Sequence, residues 1–502
     1  MGAFMSFSQK EKANLWLLLF LLSLGFPGCA VGPDYQRPAA PVPKKWKWQP
    51  GSLSSKNGPG ANQGKWKVAT PQDGIAKGTW WRVFRDPQLD ALESEATLQN
   101  QSLLAAAHRV LVARAQALSV LSSLFPNLDL NSSFVRERVS PNQPFFPKGR
   151  FSPYANDFRA ALDTLYELDV WGRIRRSFEA AQALAQASQA DYETVLLTLH
   201  ADVANNYYTL RAIDAQILAL QGTLEAVKRN LELVRARFQG GLANELDLAR
   251  AQTEKETVES QLIGLKVTRA QLENAIALDL GRPASSFQLP FHPLEMDKDP
   301  PPVPAYLPSE LLERRPDVAG AERRMAASNA QIGVATAAFF PTIRLTGSGG
   351  FESVQLSNLF SWSSRMWAIG PSLYFPLFEG GRLAANLEAA RAAYEASVND
   401  YRQQVLQAFR EVEDALSSIR ILGQQMVVQR RAVEAARKQY DVSLTRFKEG
   451  LVDYFEVDDS ERTWTSAQLV EAQIAGQRYV STVTLIKALG GGWLESTRPS
   501  QE

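Results

Sequence analysis

Two places in this 502-residue chain hold side chains with chemistry to offer. The first is Cys29, the single cysteine, directly after Gly28 and close behind an apolar run from Leu15 to Leu24. A thiol there admits two readings: a chance cysteine beside a signal-cleavage site, or the residue that becomes an acylated N-terminus. Its place at the end of the apolar run favours acylation, with a covalent lipid expected on Cys29, although Phe26-Pro27 stand where a lipidation motif usually has Leu and a small residue. The second place is the carboxylate run Asp453, Glu456, Asp458 and Asp459 around Phe455. Phe455 and Asp459 are four residues apart, which on a helix puts them on one face. Carboxylates at a helix start are also favoured by the helix dipole and can be plain solvated residues. Neither place reads as catalytic.

The absences narrow the function further. His108, His200 and His292 are far apart, and none has a second ligand at a recognised metal spacing. One cysteine excludes an internal disulfide framework and a Cys-based zinc site. No Walker-type or dinucleotide glycine loop is present, and no nucleophile–base constellation argues for an enzyme. We therefore expect no enzymatic activity, no metal and no cofactor. With 54 basic against 53 acidic residues the chain has no footprint for nucleic acid or a polybasic membrane contact.

The elements that position these residues begin with a leader. Lys10 and Lys12 precede the apolar run, which is too short to span a bilayer, where ~20 residues are needed. No comparable run follows, so the mature chain is read as exported without a transmembrane helix. Residues 30 to about 80 are rich in proline, from Pro33 to Pro71, and read as an extended segment.

A duplication governs the rest. Gly172-Arg173 recurs as Gly381-Arg382, a shift of 209 (381 − 172). Arg237-Phe238-x-x-Gly241-Leu242 recurs as Arg446-Phe447-x-x-Gly450-Leu451, and Leu280-Gly281 as Leu489-Gly490, at the same shift. Phe125-Pro126 recurs as Phe340-Pro341, so the first copy holds a longer loop before Gly172. Each unit reads as helix, two strands, long helix, tight turn, long helix. The first helix is expected from about Pro87 to Phe125, its counterpart from about Ser309 to Phe340. Arg173 to Phe238 contains no proline and only Gly222 as a glycine, which gives a helix of roughly 100 Å at 1.5 Å per residue. Arg382 to Lys448 has the same character. Helices of that length pair into antiparallel coiled-coil hairpins.

Between the helices the sequence alternates with period two. Leu128, Leu130, Ser132 and Phe134 alternate with Asn127, Asp129, Asn131 and Ser133; Phe158 to Val170 alternates against Arg159, Asp163, Glu167 and Asp169. The second unit offers Ile343, Leu345 and Phe351, then Trp367, Ile369, Leu373, Phe375 and Leu377. Aromatics Phe360, Trp362 and Trp367 cluster near the turn. A soluble sandwich strand could show the same alternation, but strands of ~10 residues with one apolar face and flanking aromatics suit an outer-membrane barrel. Four strands cannot close one, and an open edge in lipid leaves backbone groups unpaired, so the chain must share a barrel with copies of itself. Composition leaves the number of copies open.

The hairpin turns lie farthest from those strands. Gly241 and Gly450 suit a tight helix reversal by themselves. Leu242, Leu451 and Val452 at a solvent-facing tip also suggest a partner. The reading divides the chain into a signal peptide (1–28), an acylated extended segment (29–85), a first repeat (86–300), a second repeat (301–490) and a C-terminal tail (491–502).

Five motifs in order carry a family resemblance: Cys29-x-Val31-Gly32-Pro33-Asp34-Tyr35-x-Arg37-Pro38; Trp80-Trp81-x-x-Phe84-x-Asp86-Pro87-x-Leu89; Leu312-Glu313-Arg314-Arg315-Pro316-Asp317; Phe339-Phe340-Pro341; and Pro376-Leu377-Phe378-Glu379-Gly380-Gly381-Arg382. Together they resemble the TolC-like outer-membrane efflux factors, in particular the NodT-type lipoprotein branch, from Cys29 to about Gly490. The resemblance implies an α+β membrane protein that acts as a homotrimer. Its twelve-stranded outer-membrane β-barrel, with four strands per subunit, would continue into a long α-helical periplasmic barrel. It implies a passive channel-tunnel in the outer membrane of a Gram-negative bacterium, lipid-anchored and extending into the periplasm. Its partners would be a periplasmic adaptor and an inner-membrane transporter of the RND type. Carried over position by position, Phe455 would form an apolar ring at the periplasmic mouth, Asp459 an acidic ring and Glu456 a second one. Asp247 would be a partner in links that hold the mouth shut, and Gly241, Leu242, Gly450 and Leu451 would form the adaptor-contact tips. Phe447 stands where relatives often have Tyr and lacks its hydroxyl. Three like charges around a narrow opening repel, so closure needs compensating links or an apolar plug. The exported solute stays open between organic compounds, metal ions and secreted protein. An exported structural coiled coil or a soluble enzyme is the remaining alternative.

Overall fold

The computed structural model describes residues 30–40, 43, 46–48, 78–138, 140, 153–303 and 314–491. Cys29, the leader before it, and Leu312-Glu313 lie outside the described residues. After a short turn of helix at Trp80–Phe84 come α1 (Pro87–Gln99), α2 (Gln101–Ser122), β1 (Asn127–Arg138) and β2 (Tyr154–Leu168). Then follow α3 (Arg173–Gln239) and α4 (Glu245–Asp279). The second copy repeats the order with α5 (Pro316–Ala337), β3 (Thr342–Ser353), β4 (Arg365–Tyr374), α6 (Arg382–Lys448) and α7 (Tyr454–Ala488). The duplication is carried into the helix lengths: α3 and α6 both have 67 residues, α4 and α7 both 35.

One element differs from the sequence expectation. The single helix expected from Pro87 to about Phe125 is two helices, broken at Asn100. Asp86 caps α1 by accepting from the N–H groups of Gln88 and Leu89, with Pro87 in the first turn where its missing N–H costs nothing. Asn100 is extended (ψ 119°) and ends α1; its side-chain oxygen then accepts from the N–H of Leu103 and starts α2. Its amide also donates to the carbonyl of Asp279 at 2.8 Å, so the break is fixed by a partner distant in sequence. The α2 helix is long and apolar enough by composition to cross a bilayer, with mean hydropathy 1.2. Such a crossing would put the guanidinium groups of Arg109 and Arg114 in hydrocarbon, an expensive placement.

The described residues fall into two compact units, each drawing on both repeats. One lies within Met1–Pro38, Leu111–Gln186 and Glu322–Asp400; the other within Ala39–Val110, Ala187–Ala321 and Tyr401–Glu502.

The first unit holds a four-stranded antiparallel sheet in the order β1-β2-β3-β4. Its register aligns the apolar sets on one face: Leu130 opposite Leu162, Phe134 opposite Phe158, Tyr166 opposite Leu345, and Ile343 opposite Leu373. That face is bare, with Leu130 73%, Trp367 77% and Ile369 80% exposed. The other face is polar. Asp163 accepts from Asn131 (2.7 Å) and Arg159 (3.2 Å), Arg159 donates to Ser348 (3.0 Å), and Glu167 pairs with Arg173 at 2.8 Å. At Gly350 a Cβ would collide with the Ala160 carbonyl, so only glycine lets β3 approach β2 there.

The proline-rich segment after residue 29 is anchored to this unit. The N–H of Val31 donates to the Trp171 carbonyl (3.0 Å), Asp34 pairs with Arg176 (2.7 Å), and Asn329 donates to the Pro33 carbonyl (3.0 Å). Arg37 pairs with Glu322 at 3.1 Å. Gly32 (φ 97°) lies directly on the backbone of Gly333, a contact closed to any side chain. Trp171, which receives Val31, stacks on Phe340 at 4.6 Å and donates to the Pro341 carbonyl.

In the second unit α3 packs on α4 through Ile213, Ile217, Leu220, Leu224, Val227, Val258 and Leu262. The Trp80–Phe84 turn is locked by Trp81 stacking on His200 at 4.3 Å and by Phe84 packing at a tilt against Tyr208 at 5.0 Å. Buried Arg315 pairs with Asp317 and Glu411 and donates to the Ala488 carbonyl, tying the entry of α5 to α6 and the end of α7. The segment after α4 is strapped down by Asp214, which takes Arg211, Arg269 and the N–H of His292.

Candidate functional site

The two helical hairpins turn by the same device. At the end of α3 the N–H of Leu242 returns to the carbonyl of Arg237 at 2.8 Å, across Gly241 at φ 76°. At the end of α6 the N–H of Leu451 returns to Arg446 at 2.9 Å, across Gly450 at φ 77°. A left-handed residue after the last turn lets the terminal carbonyls be satisfied, and glycine reaches that conformation without strain. Leu242 is 82% and Leu451 65% exposed, so both tips present bare apolar side chains. The starts of the return helices differ. Asn244 caps α4 by accepting from the N–H of Asp247 at 2.8 Å, whereas Asp453 begins α7 without a side-chain cap.

Just above the tips the hairpins interlock. Arg237 of α3 lies over the ring of Phe447 at 4.2 Å and donates to the carbonyls of Phe447 (2.9 Å) and Lys448 (3.1 Å). It therefore serves as the cap of α6, whose last carbonyls have no partner within the helix. Phe447 is buried, packed on Tyr454 in a cluster with Val234, Ala251, Tyr440 and Val457. The Phe447 ring is thus held by packing on Tyr454 and by the Arg237 cation.

The four expected mouth residues separate into different roles. Phe455 is half exposed with Arg250 over its ring at 5.2 Å. Asp459, one helical turn on, is exposed. Glu456 faces Arg446 of α6 at 3.5 Å, an ion pair within the second hairpin. Among the described residues the Asp247 carboxylate makes no ion pair; its backbone N–H is what is used, in the cap.

Beneath that exposed face lies a group of carboxylates that sequence reasoning did not pick out as buried. Asp458 and Glu461 of α7 and Glu254 of α4 are all at least 95% buried. Arg462 bonds Glu254 at 2.6 Å and Asp458 at 3.3 Å, and the amide of Asn230 donates to Glu461 at 3.0 Å. Asp458 Oδ1, Glu461 Oε1 and the Tyr454 hydroxyl have no hydrogen-bond partner among the described residues. Burial pushes the Glu461 carboxyl up to about 7, against the Asn230 hydrogen bond and with help from Glu254 and Asp458. Burial raises Asp458 as well, against Arg462. The signal was present in the spacing: Tyr454, Val457, Asp458, Glu461 and Thr465 fall on one helical stripe, which is the buried one. No group of three or more His, Cys, Asp or Glu residues is arranged to hold a metal among the described residues.

Comparison with known proteins adds lineage to this geometry. The outer membrane efflux protein family matches twice, over residues 92–282 and again over 307–491, the two copies of the duplication. The toluene efflux pump outer membrane protein TtgC of Pseudomonas putida is 32% identical over 499 residues, covering 97% of each chain. The cation efflux system protein CusC of Escherichia coli is 33% identical over 483 residues, 95% of this chain and 98% of its own. Among solved structures, the outer-membrane channel OprN superposes with a TM-score of 0.80 at 30% identity, over 93% of this chain and all of its own. The Campylobacter jejuni CmeC outer membrane channel gives 0.81 at 26%, over 93% and 96%.

Proposed function

Because the chain belongs to the outer membrane efflux protein family, we propose that it is the outer-membrane duct of a tripartite efflux pump, closed by three copies of itself. One observation carries this reading: a four-stranded sheet, bare and apolar on one face and polar on the other, whose outer strands β1 and β4 each pair on one side only among the described residues. Neither edge can stand in lipid, where unpaired backbone groups cost several kcal/mol apiece. Twelve strands from three copies remove the edges and turn the charged face with Arg159, Asp163, Glu167 and Arg344 to a water-filled bore. The duct does no covalent chemistry and consumes no nucleotide. Energy enters from an inner-membrane transporter, of the RND type in this reading, through a periplasmic adaptor seated on Leu242 and Leu451.

Phe455 supplies the apolar plug and Asp459 the acidic ring of the mouth, with Glu456 restrained by Arg446. Asp247 is the weakest member of the set, since among the described residues its carboxylate makes no ion pair. Relatives named for toluene and for cations are about equally similar, so identity alone leaves the cargo open. Lipidation of Cys29 gains a physical rationale from the docked segment. Ala30 lies against Gly172, where the strand β2 gives way to α3, so an acyl chain on the preceding residue would enter the membrane at the base of the barrel. The test is reconstitution of purified protein in a lipid bilayer. Discrete channels from a cross-linkable trimer are expected; a stable monomer without ion flux would sink the proposal.

A further inference from the structure

We infer that the buried carboxylates of Glu254, Asp458 and Glu461 form a proton-controlled clasp between the two hairpins, tight when Glu461 is protonated and loosened when it is charged. The clasp joins separate hairpins: Asn230 of α3 and Glu254 of α4 belong to the first, Glu461 and Arg462 of α7 to the second. Arg462 bonds two of the three buried acids, Glu254 and Asp458; among the described residues Glu461 has only the neutral Asn230 amide, and Asp458 Oδ1 and Glu461 Oε1 are unpartnered. Leaving such a group charged and unpaired in a packed core is costly, so the packed state gains by taking up a proton.

The groups around the clasp come from all four helices. Glu461 is faced by Arg229 and Asn230 of α3, Glu254 of α4, Tyr440 of α6, and Tyr454 and Asp458 of α7; Arg250 of α4 and Asp459 and Arg462 of α7 act on Asp458, and Asp441 of α6 on Tyr440. Arg229 and Arg250 favour the charged forms of Glu461 and Asp458 but bond neither, while Glu254 and Asp458 oppose ionisation of Glu461. Protons have a way in: Asn230, Tyr440 and Trp464 line a groove of about 660 Å³ open to solvent.

The direction follows from linkage. Glu461 titrates near 7 in the packed hairpins and in the ordinary range near 4.5 once exposed. Its contribution is fully present below the exposed value and is lost as pH rises through about 7. Acidification therefore tightens the clasp and alkali loosens it. The consequence for conduction rests on the duct reading; the clasp itself is measurable without it.

Hydrogen exchange on the full-length, detergent-solubilised protein, corrected for intrinsic rates, provides the test. Between pH 5.5 and 8, protection of residues 226–235 and 454–465 should fall roughly tenfold, a discounted value for the full displacement of Glu461. Glu461→Gln, which mimics the protonated acid, should hold protection level across that range. Asp459→Asn, on the exposed face, should keep the wild-type slope. Glu254→Gln removes a repelling neighbour and should move the midpoint to lower pH. Flat wild-type protection, a slope retained in Glu461→Gln, or an unmoved midpoint in Glu254→Gln would each overturn the inference.

Discussion

Replacing Arg237 by alanine removes one side chain and three contacts between hairpins. The ring of Phe447 loses the guanidinium at 4.2 Å, and the carbonyls of Phe447 and Lys448 lose the Arg237 donor at 2.9 and 3.1 Å, the Phe447 carbonyl keeping the N–H of Gly450 at 3.0 Å. A cation over an aromatic ring is worth about 0.5–1 kcal/mol where partly solvated. A hydrogen bond from a charged donor nets about 1.5–3 kcal/mol when buried, and less here because water can replace Arg237 at the exposed Lys448 carbonyl. The sum for a half-buried latch is roughly 2 kcal/mol, which shifts the balance between closed and separated tips about thirtyfold. Single-channel conductance in planar bilayers reads that balance, and we expect Arg237→Ala to dwell far more in high-conductance states. Arg237→Lys should recover less than half of the effect, because an ammonium cannot cover the ring and reach both carbonyls together. A double-mutant cycle with Phe447→Leu isolates the ring contact, with a coupling of about 0.5–1 kcal/mol expected. If Arg237→Ala gates like wild type at normal assembly, the latch reasoning is wrong.

Other expectations follow from the same geometry. Phe455→Ala combined with Asp459→Ala should raise single-channel conductance by widening the mouth; unchanged conductance would refute their assignment to it. Intact-mass spectrometry should find an acyl increment on the wild type that Cys29→Ala lacks, and the variant should be retained less by membranes after detergent-free washing; an unmodified Cys29 in the wild type would dispose of the anchor. Gly32→Val forces a side chain onto the Gly333 backbone at a positive φ, so the segment 30–38 should detach. Limited proteolysis there should accelerate at least several-fold, and equal cleavage rates would show the contact to be dispensable.

Much of the architecture is local in origin and could therefore be read from the chain. A 67-residue stretch without proline dictates a long helix whatever surrounds it, and the 209-residue offset dictates that it occurs twice. Alternation along Leu128–Phe134 dictates a strand with unlike faces, because side chains of a strand alternate by geometry alone. Strand number then dictates self-assembly, because backbone pairing in lipid is obligatory. The tips were equally legible, since Gly241 and Gly450 carry their turns in their own conformational freedom.

What the tertiary structure decided is which side chains meet, and that depends on packing between segments hundreds of residues apart. Asn100 breaks a helix with good local propensity because its amide reaches Asp279. Arg237 and Arg446 are equivalent by duplication, yet one caps the opposite hairpin and the other pairs with Glu456 in its own. Asp458 and Asp459 are neighbours in an acidic run, but a helix turns 100° per residue, so one enters the core and the other meets water. Composition assigns both the same charge. Only the burial of Asp458 beside Glu461 and Glu254 turns that charge into a cost, and so into something a proton can relieve.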